Sequence, residues 1–309
     1  MLNQPKTELR ASIDLGTNTC LLLIAEVDVV SRVVTRVIED RATVVKLGQG
    51  VDQTAQLHPD AISRTKECLS RYAELMTKYK LNLHEAKCVA TSQARDAKNG
   101  SLFFDDIKKT WGLKFLIISG DEEARLAFIG GVPAGENPDD WAVLDIGGGS
   151  TELTGDGKGM SLNLGSVRFT ERYLKTDPVS DSDFWACQAA IDTLIENWNV
   201  MKANWKAPKK LVGVAGTVTT LAHLFLDLKE FDSKKIDQVV LSRGDVHRLV
   251  EDLKWRNVSE RAALLGSEAN RADVILAGAL ILWRVLEVLD FQEIRVSTRG
   301  LRYGVITQN

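Results

Sequence analysis

The stretch "VLDIGGGSTEL", Val143 to Leu153, runs from a short apolar segment into an acid, Asp145. Three consecutive glycines follow, then two hydroxyl residues and a second acid, Glu152. Apolar segments on either side of so small a turn read as a β-hairpin whose tip is nearly bare main chain. Glycine takes positive φ without steric cost and lets a ligand approach the backbone closely, so successive N–H groups can converge on an anion. Phosphate oxygens suit such a turn, with Gly147, Gly148, Gly149, Ser150 and Thr151 as donors. The plainer reading is a glycine hairpin that binds nothing.

Working outward, the stretch has a twin. "IDLGTNTCLLL" (residues 13–23) follows the same plan: an apolar residue, Asp14, an apolar residue and a glycine, then small or hydroxyl residues. Gly16, Thr17, Asn18 and Thr19 would be its donors. Each hairpin is followed by what reads as a strand ending in a Leu-Gly pair, "VVKLGQG" and then "SLNLGSVRF". Each half then supplies a long amphipathic helix, with Ile62, Thr65, Leu69, Tyr72, Met76 and Tyr79 on one face in the first and Phe184, Cys187, Ile191, Leu194, Trp198 and Met201 in the second. Ser180 and Asp183 have capping-box spacing before the second helix. An apolar strand, a small-residue turn and another helix close each half, in "CVATSQARDA" and "LVGVAGTVTTLAHL". Two copies of β-β-β-α-β-α imply mixed sheets with helices packed on them, and an inter-domain cleft between the glycine hairpins.

The acids add a second requirement. A carboxylate beside bound phosphate repels it unless a cation lies between. Magnesium prefers a few carboxylates with water and phosphate oxygens, which makes Asp14, Asp145 and Glu152 candidate metal ligands. Their alternative role is to hydrogen-bond loop N–H groups and hold the turns.

Composition narrows the field. The chain has 309 residues, 44% hydrophobic and 26% charged, with 39 basic and 42 acidic side chains. That suits about two globular domains, and no long basic run is present to track a nucleic acid. Cys20, Cys68, Cys88 and Cys187 have no CxxC spacing, so they read as buried reduced thiols in a cytoplasmic protein. The polar N-terminus lacks the apolar middle of a secretory signal. The longest apolar run, Val274 to Trp283, is too short for a membrane span and reads as a buried or inter-domain helix. His58, His84, His223 and His247 lack metal-ligand spacing, and Trp185, Trp198 and Trp205 read as core or dimer surface.

"DLGTNT" and "DIGGGSTEL", with "ISGDEEARLAFIG" and "GVAGTVTTLAH", strongly resemble the exopolyphosphatase/guanosine pentaphosphate phosphohydrolase family of the actin-like ATPase superfold, from about residue 11 to 306. The resemblance implies an α/β, duplicated ribonuclease H-like fold with domains 1–126 plus 297–309 and 127–296. It also implies a magnesium-dependent hydrolase of the terminal phosphate of inorganic polyphosphate or the 5′ γ-phosphate of guanosine pentaphosphate, and a homodimer is expected. Ser119 and Glu122 have capping-box spacing, which leaves Glu123 unclaimed. By itself Glu123 reads as a solvated acid in a helix's first turn, whereas the resemblance makes it the catalytic glutamate that aligns water. Arg95 reads as a surface arginine on its own and matches a family arginine that would reach the transferring phosphate. Gly216 and Thr217 would hold the next phosphate. Arg168 and Arg302 are weaker candidates for the far end of the polyanion, or ordinary surface ion pairs.

Two positions depart from the family. Thr298 and Tyr303 stand where it commonly has Asp and Glu, and the chain stops at Asn309 without the helical extension of longer relatives. The first departure removes any role resting on acids at those positions and bears on substrate preference, and the second points toward short or nucleotide substrates. Two rival readings stay open: an ATP-dependent small-molecule kinase of the same superfold, and a polyphosphate- or nucleotide-binding regulator with little turnover.

Overall fold

The computed structural model describes residues 6–155, 157–202 and 210–308. Trp205 lies outside the described residues, as does the side chain of Met201. The chain divides into two compact units, Met1–Gly130 with Leu301–Asn309, and Gly131–Gly300.

The first unit carries β1 (Thr7–Leu15), β2 (Thr19–Asp28), β3 (Val33–Val44), β4 (Lys87–Ala90) and β5 (Phe115–Ile117). They lie in the order β3-β2-β1-β4-β5. β1, β2 and β3 pair antiparallel, while β4 and β5 add in parallel. The second unit carries β6 (Trp141–Ile146), β7 (Thr151–Gly155), β8 (Lys158–Leu162), β9 (Lys210–Val214), β10 (Val240–Ser242) and β11 (Glu293–Val296), in the order β10-β11-β9-β6-β7-β8. Apart from β10, which pairs antiparallel with β11, the sequence β8-β7-β6-β9-β11 repeats the first sheet. This is the duplicated, ribonuclease H-like sheet of the actin-like ATPases.

The repeat is longer than the sequence pattern suggested, because each half continues to a fifth strand. β5 and β11 are only three and four residues long, too short for a periodic signal. The two Leu-Gly pairs also lie beyond the strands assigned to them: β3 ends at Val44 and β8 at Leu162. The chain turns at Lys46, whose φ is 50°, so the Val45 and Lys46 N–H groups can both donate to the Asn18 carbonyl (2.9 and 3.0 Å).

Each unit has its own core. The Pro59–Lys78 helix buries Thr65, Leu69, Tyr72 and Met76 against the first sheet's apolar face. In the Asp181–Lys202 helix, Phe184, Cys187, Ile191 and Trp198 fill the second core. The apolar Ile275–Val288 helix is buried nearly all round in that same core. Among the described residues no helix is long and apolar enough to cross a membrane. All four cysteines are free and buried. Of the tryptophans, Trp198 is fully buried whereas Trp185 is half exposed.

Candidate active site

Both glycine turns are closed in one way. The Gly16 N–H donates to the Thr19 carbonyl at 2.9 Å, and the Gly147 N–H to the Ser150 carbonyl at 3.0 Å. Those two donors are therefore spent on the turn, contrary to the expectation that they face a ligand. Among the described residues the N–H groups of Thr17, Asn18, Gly148 and Gly149 have no protein acceptor. Neither Gly16 nor Gly147 takes positive φ, so what glycine supplies here is space. A Cβ on Gly147 would stand 3.1 Å from the Ser150 carbonyl, and one on Gly16 3.3 Å from that of Thr19.

The glycines of the Leu-Gly pairs buttress these turns. Gly48 donates to the Thr17 carbonyl at 2.8 Å, and its missing side chain leaves room for Thr17 and Gln93. Gly165 lies so close to the Gly148 and Gly149 backbone that a Cβ would collide with main chain. Ser166, Val167 and Arg168 donate N–H groups to the Gly147 and Gly148 carbonyls at 2.9–3.1 Å. The Thr151 hydroxyl is bonded to the Leu164 carbonyl and fully buried, which makes it a brace for the turn and removes it from the donor set. Arg168 is likewise a brace, 6% exposed with Nε on the Gly149 carbonyl at 2.8 Å, and is not a surface group.

In the first unit the acids and arginines gather at the ends of β1 and β4. Asp14 closes β1 and is 8% exposed; burial pushes its carboxyl up to about 7, the charge of Glu123 adds to the rise and that of Arg302 opposes it. Glu123 sits in the first turn of the Gly120–Gly131 helix and is 7% exposed. Burial raises its carboxyl above the usual carboxylate range, and Arg95 pulls it back. Arg95 Nη1 donates to Glu123 Oε2 at 2.9 Å and to the Ile118 carbonyl at 2.7 Å. The surface readings of both residues give way to an ion pair between a buried Glu123 and a part-buried Arg95. The Ser119 hydroxyl caps the Glu122 N–H at 3.2 Å, but the reciprocal half of the capping box is absent, because the Glu122 carboxylate takes Arg125 through two 2.8 Å bonds. The Ser180 motif is half formed in the same way, its Asp183 carboxylate being taken by Lys175 and Thr176.

Asn18 is the sharpest signal in the first turn. Its carboxamide is 6% exposed, and neither Nδ2 nor Oδ1 has a partner; buried Gln93 Oε1 also has none. Buried polar groups left in that state cost free energy unless a ligand or water completes them.

In the second unit Asp145 and Glu152 are direct cross-strand partners on β6 and β7, so both carboxylates lie on one face of the hairpin, 7% and 1% exposed. Like charges set opposite each other repel. Hard, paired carboxylate oxygens fit a magnesium ion, and Ser161 Oγ supports the Glu152 carboxylate at 2.6 Å. Asp14 belongs to the other unit, and its cross-strand partner is Leu21. Among the described residues no three His, Cys, Asp or Glu side chains form a metal-binding group, so water and phosphate oxygens would have to complete the coordination.

Gly216 and Thr217 open the Ala215–Phe225 helix after β9, with Ala215 at φ 66°. Sequence reading missed Arg271, whose guanidinium occupies the space beside Gly216 where a side chain would stand. Glu268 fixes it at Nε (2.8 Å) and is itself held by Thr220 at 3.1 Å. Only the Glu-x-x-Arg spacing hints at that pair. Asp40 was missed as well: it grips Arg302 at 2.8 and 2.9 Å, so Arg302 is a buried partner of β3 and not a surface group. At the family's other acidic position, Thr298 receives a carboxylate from Asp237 on its N–H (2.5 Å) and hydroxyl (3.0 Å).

Comparison with known proteins agrees with this fold. The family model described as the Ppx/GppA phosphatase family matches residues 23–309. Exopolyphosphatase 2 of Mycobacterium tuberculosis is 34% identical over 283 residues, covering 88% of each chain. The bifunctional 3-dehydroquinate synthase/phosphatase of Fusobacterium nucleatum is 34% identical over 309 residues, covering 97% of this chain; the chain spans 46% of that protein's length. The solved Ppx-GppA enzyme of Aquifex aeolicus superposes with a TM-score of 0.76 at 30% identity, covering 98% of this chain and 100% of the other. The chain belongs to the Ppx/GppA phosphatase family.

Proposed function

We propose that this chain hydrolyses terminal phosphoanhydride bonds, with inorganic polyphosphate or guanosine pentaphosphate as substrate and magnesium as cofactor. The observation that carries the reading is the part-buried ion pair of Glu123 with Arg95, Glu123 lying within electrostatic reach of Asp14, in a unit whose glycine turn offers unclaimed N–H groups and an unpartnered Asn18 amide. The name of the mycobacterial relative supports the polyphosphate arm, and that of a guanosine-5′-triphosphate,3′-diphosphate pyrophosphatase of Photobacterium profundum, 28% identical over 315 residues, supports the guanosine arm.

In this reading the Thr17 and Asn18 N–H groups of the first unit receive phosphate oxygens; in the second unit those of Gly148 and Gly149 do, and Gly216, Thr217 and Arg271 take a further phosphate. Glu123 accepts a proton from water as its oxygen attacks the terminal phosphorus. The bridging P–O bond breaks, and its electron pair leaves with the shortened chain. Arg95 keeps Glu123 in place through Nη1 and has Nε and Nη2 left for an equatorial oxygen. Asp145 and Glu152, partners across β6 and β7, would hold magnesium together with water and phosphate oxygens, and it would supply neutralisation of phosphate charge.

The test supplies magnesium with polyphosphate, guanosine pentaphosphate or ATP and follows released phosphate. A general base contributes about 10²–10⁴-fold, so Glu123→Gln should lose turnover by that factor while the fold persists. ATP consumption only with a small acceptor present would replace this reading with a kinase. Tight binding without release would replace it with a regulator.

A further inference from the structure

Asp40 lies on β3, outside every motif described above, yet strand register aims it at the candidate site. Asp40 and Ser12 are both direct partners of Leu23, on its two sides, so the three side chains form one row across β3, β2 and β1. Residues two apart on a strand share a face, which puts Asp14 on the same face as Ser12. The Leu301–Ile306 helix packs onto this face: Ser12 Oγ donates to the Arg302 carbonyl at 2.8 Å, and Tyr303 and Ile306 join Leu23, Ala25 and Val27 in a small core. Asp40 completes the row by accepting from Arg302 Nε and Nη2 at 2.8 and 2.9 Å and from the Tyr303 hydroxyl at 2.9 Å.

We propose that Asp40 is a positioning residue for the reaction: its two-oxygen clamp on Arg302, tied in by Tyr303, fixes a buried cation beside Asp14. The inference rests on the proposed function. An arginine 8% exposed needs a paired carboxylate to stay buried, and a forked clamp fixes its direction as well as its charge. Its charge is felt at Asp14. Tyr303 stands where an acid is expected from the family resemblance. Asp40 thus supplies from the strand the carboxylate that the helix lacks, and the hydroxyl of Tyr303 points that carboxylate at its neighbour.

The test measures initial rates of phosphate release from polyphosphate with magnesium, together with thermal unfolding, for the natural chain, Asp40→Asn and the double variant Asp40→Asn/Tyr303→Glu. Outer partners of a catalytic centre typically carry about 10–100-fold. Asp40→Asn should lose that much in kcat with KM little changed, and the double variant, which moves the acid from β3 onto the Leu301–Ile306 helix, should regain at least about tenfold of the loss. An Asp40→Asn loss below about tenfold, a loss confined to KM, or no recovery in the double variant overturns the clamp. Should Asp40→Asn not fold, the double variant decides alone: folded and active supports the clamp, unfolded or inactive overturns it. A natural chain that releases no phosphate from any phosphoanhydride overturns the proposed function, and the clamp falls with it.

Discussion

Ionised Asp14 strains the folded chain, because burial and the neighbouring Glu123 both disfavour its charge and hold its carboxyl near 7, against 3.8 for an ordinary aspartate. A carboxyl whose folded-state value is raised adds stability that is complete below about 3.8 and is lost as pH climbs through 7. At pH 8, without a divalent cation, the natural chain therefore bears a penalty on the order of a few kcal/mol. Asp14→Asn should unfold at a higher temperature than the natural chain at pH 8 in chelator, with the difference vanishing near pH 4, while phosphate release is lost. Equal unfolding temperatures at pH 8 would contradict this account of Asp14. The sequence placed Asp14, Glu123 and Arg95 by motif alone. The burial of the two acids and the pairing of Glu123 with Arg95 depend on β1, β4 and the Gly120–Gly131 helix meeting in space, which no local spacing encodes.

At the scale of elements, the hairpin turns depend on a second glycine some distance along the chain. The Leu-Gly pairs were legible as a repeat, but their purpose was not, because β3 and β8 end before them and the intervening loop folds back over the turn. Gly165→Ala forces a methyl group into the Gly148 and Gly149 main chain. Overpacking of this kind costs about 1–3 kcal/mol, and the displaced turn should also weaken binding of phosphate-bearing substrate. Equilibrium denaturation and a substrate titration on Gly165→Ala check the two halves of that expectation. Gly157→Ala is the contrast: its φ of 68° strains any side chain, but it meets no neighbour and touches no turn of the site, so binding should survive. Arg168 and Thr151 illustrate the limit of motif reading, since both lie in or beside a phosphate-like motif and both are consumed in bracing it.

For the whole molecule, the paired hairpins announced a duplication, which the structure extends to five strands in each copy, and the two copies have diverged in their acids. The strand-end Asp14 faces Leu21 across β1 and β2, whereas Asp145 faces Glu152 across β6 and β7. The second unit therefore holds the paired carboxylates suited to a cation, and the first holds the buried Glu123 suited to a proton. Glu152→Gln should raise the magnesium concentration needed for half-maximal rate by about 10–100-fold, the scale on which metal-site partners act. Calorimetric titration of magnesium into the same variant should show a parallel weakening. A short fifth strand in each unit, the added β10 and the reach of Asp40 and Arg271 were not legible, because each depends on contacts between distant segments and not on a local period.

The central claim, that water held by Glu123 attacks the terminal phosphorus, is tested most directly by running the reaction on polyphosphate in ¹⁸O-labelled water and analysing the released orthophosphate by mass spectrometry. The account predicts label in the released phosphate, formed at a rate that collapses in Glu123→Gln. Released phosphate without label, or label appearing at the natural rate in that variant, would contradict it.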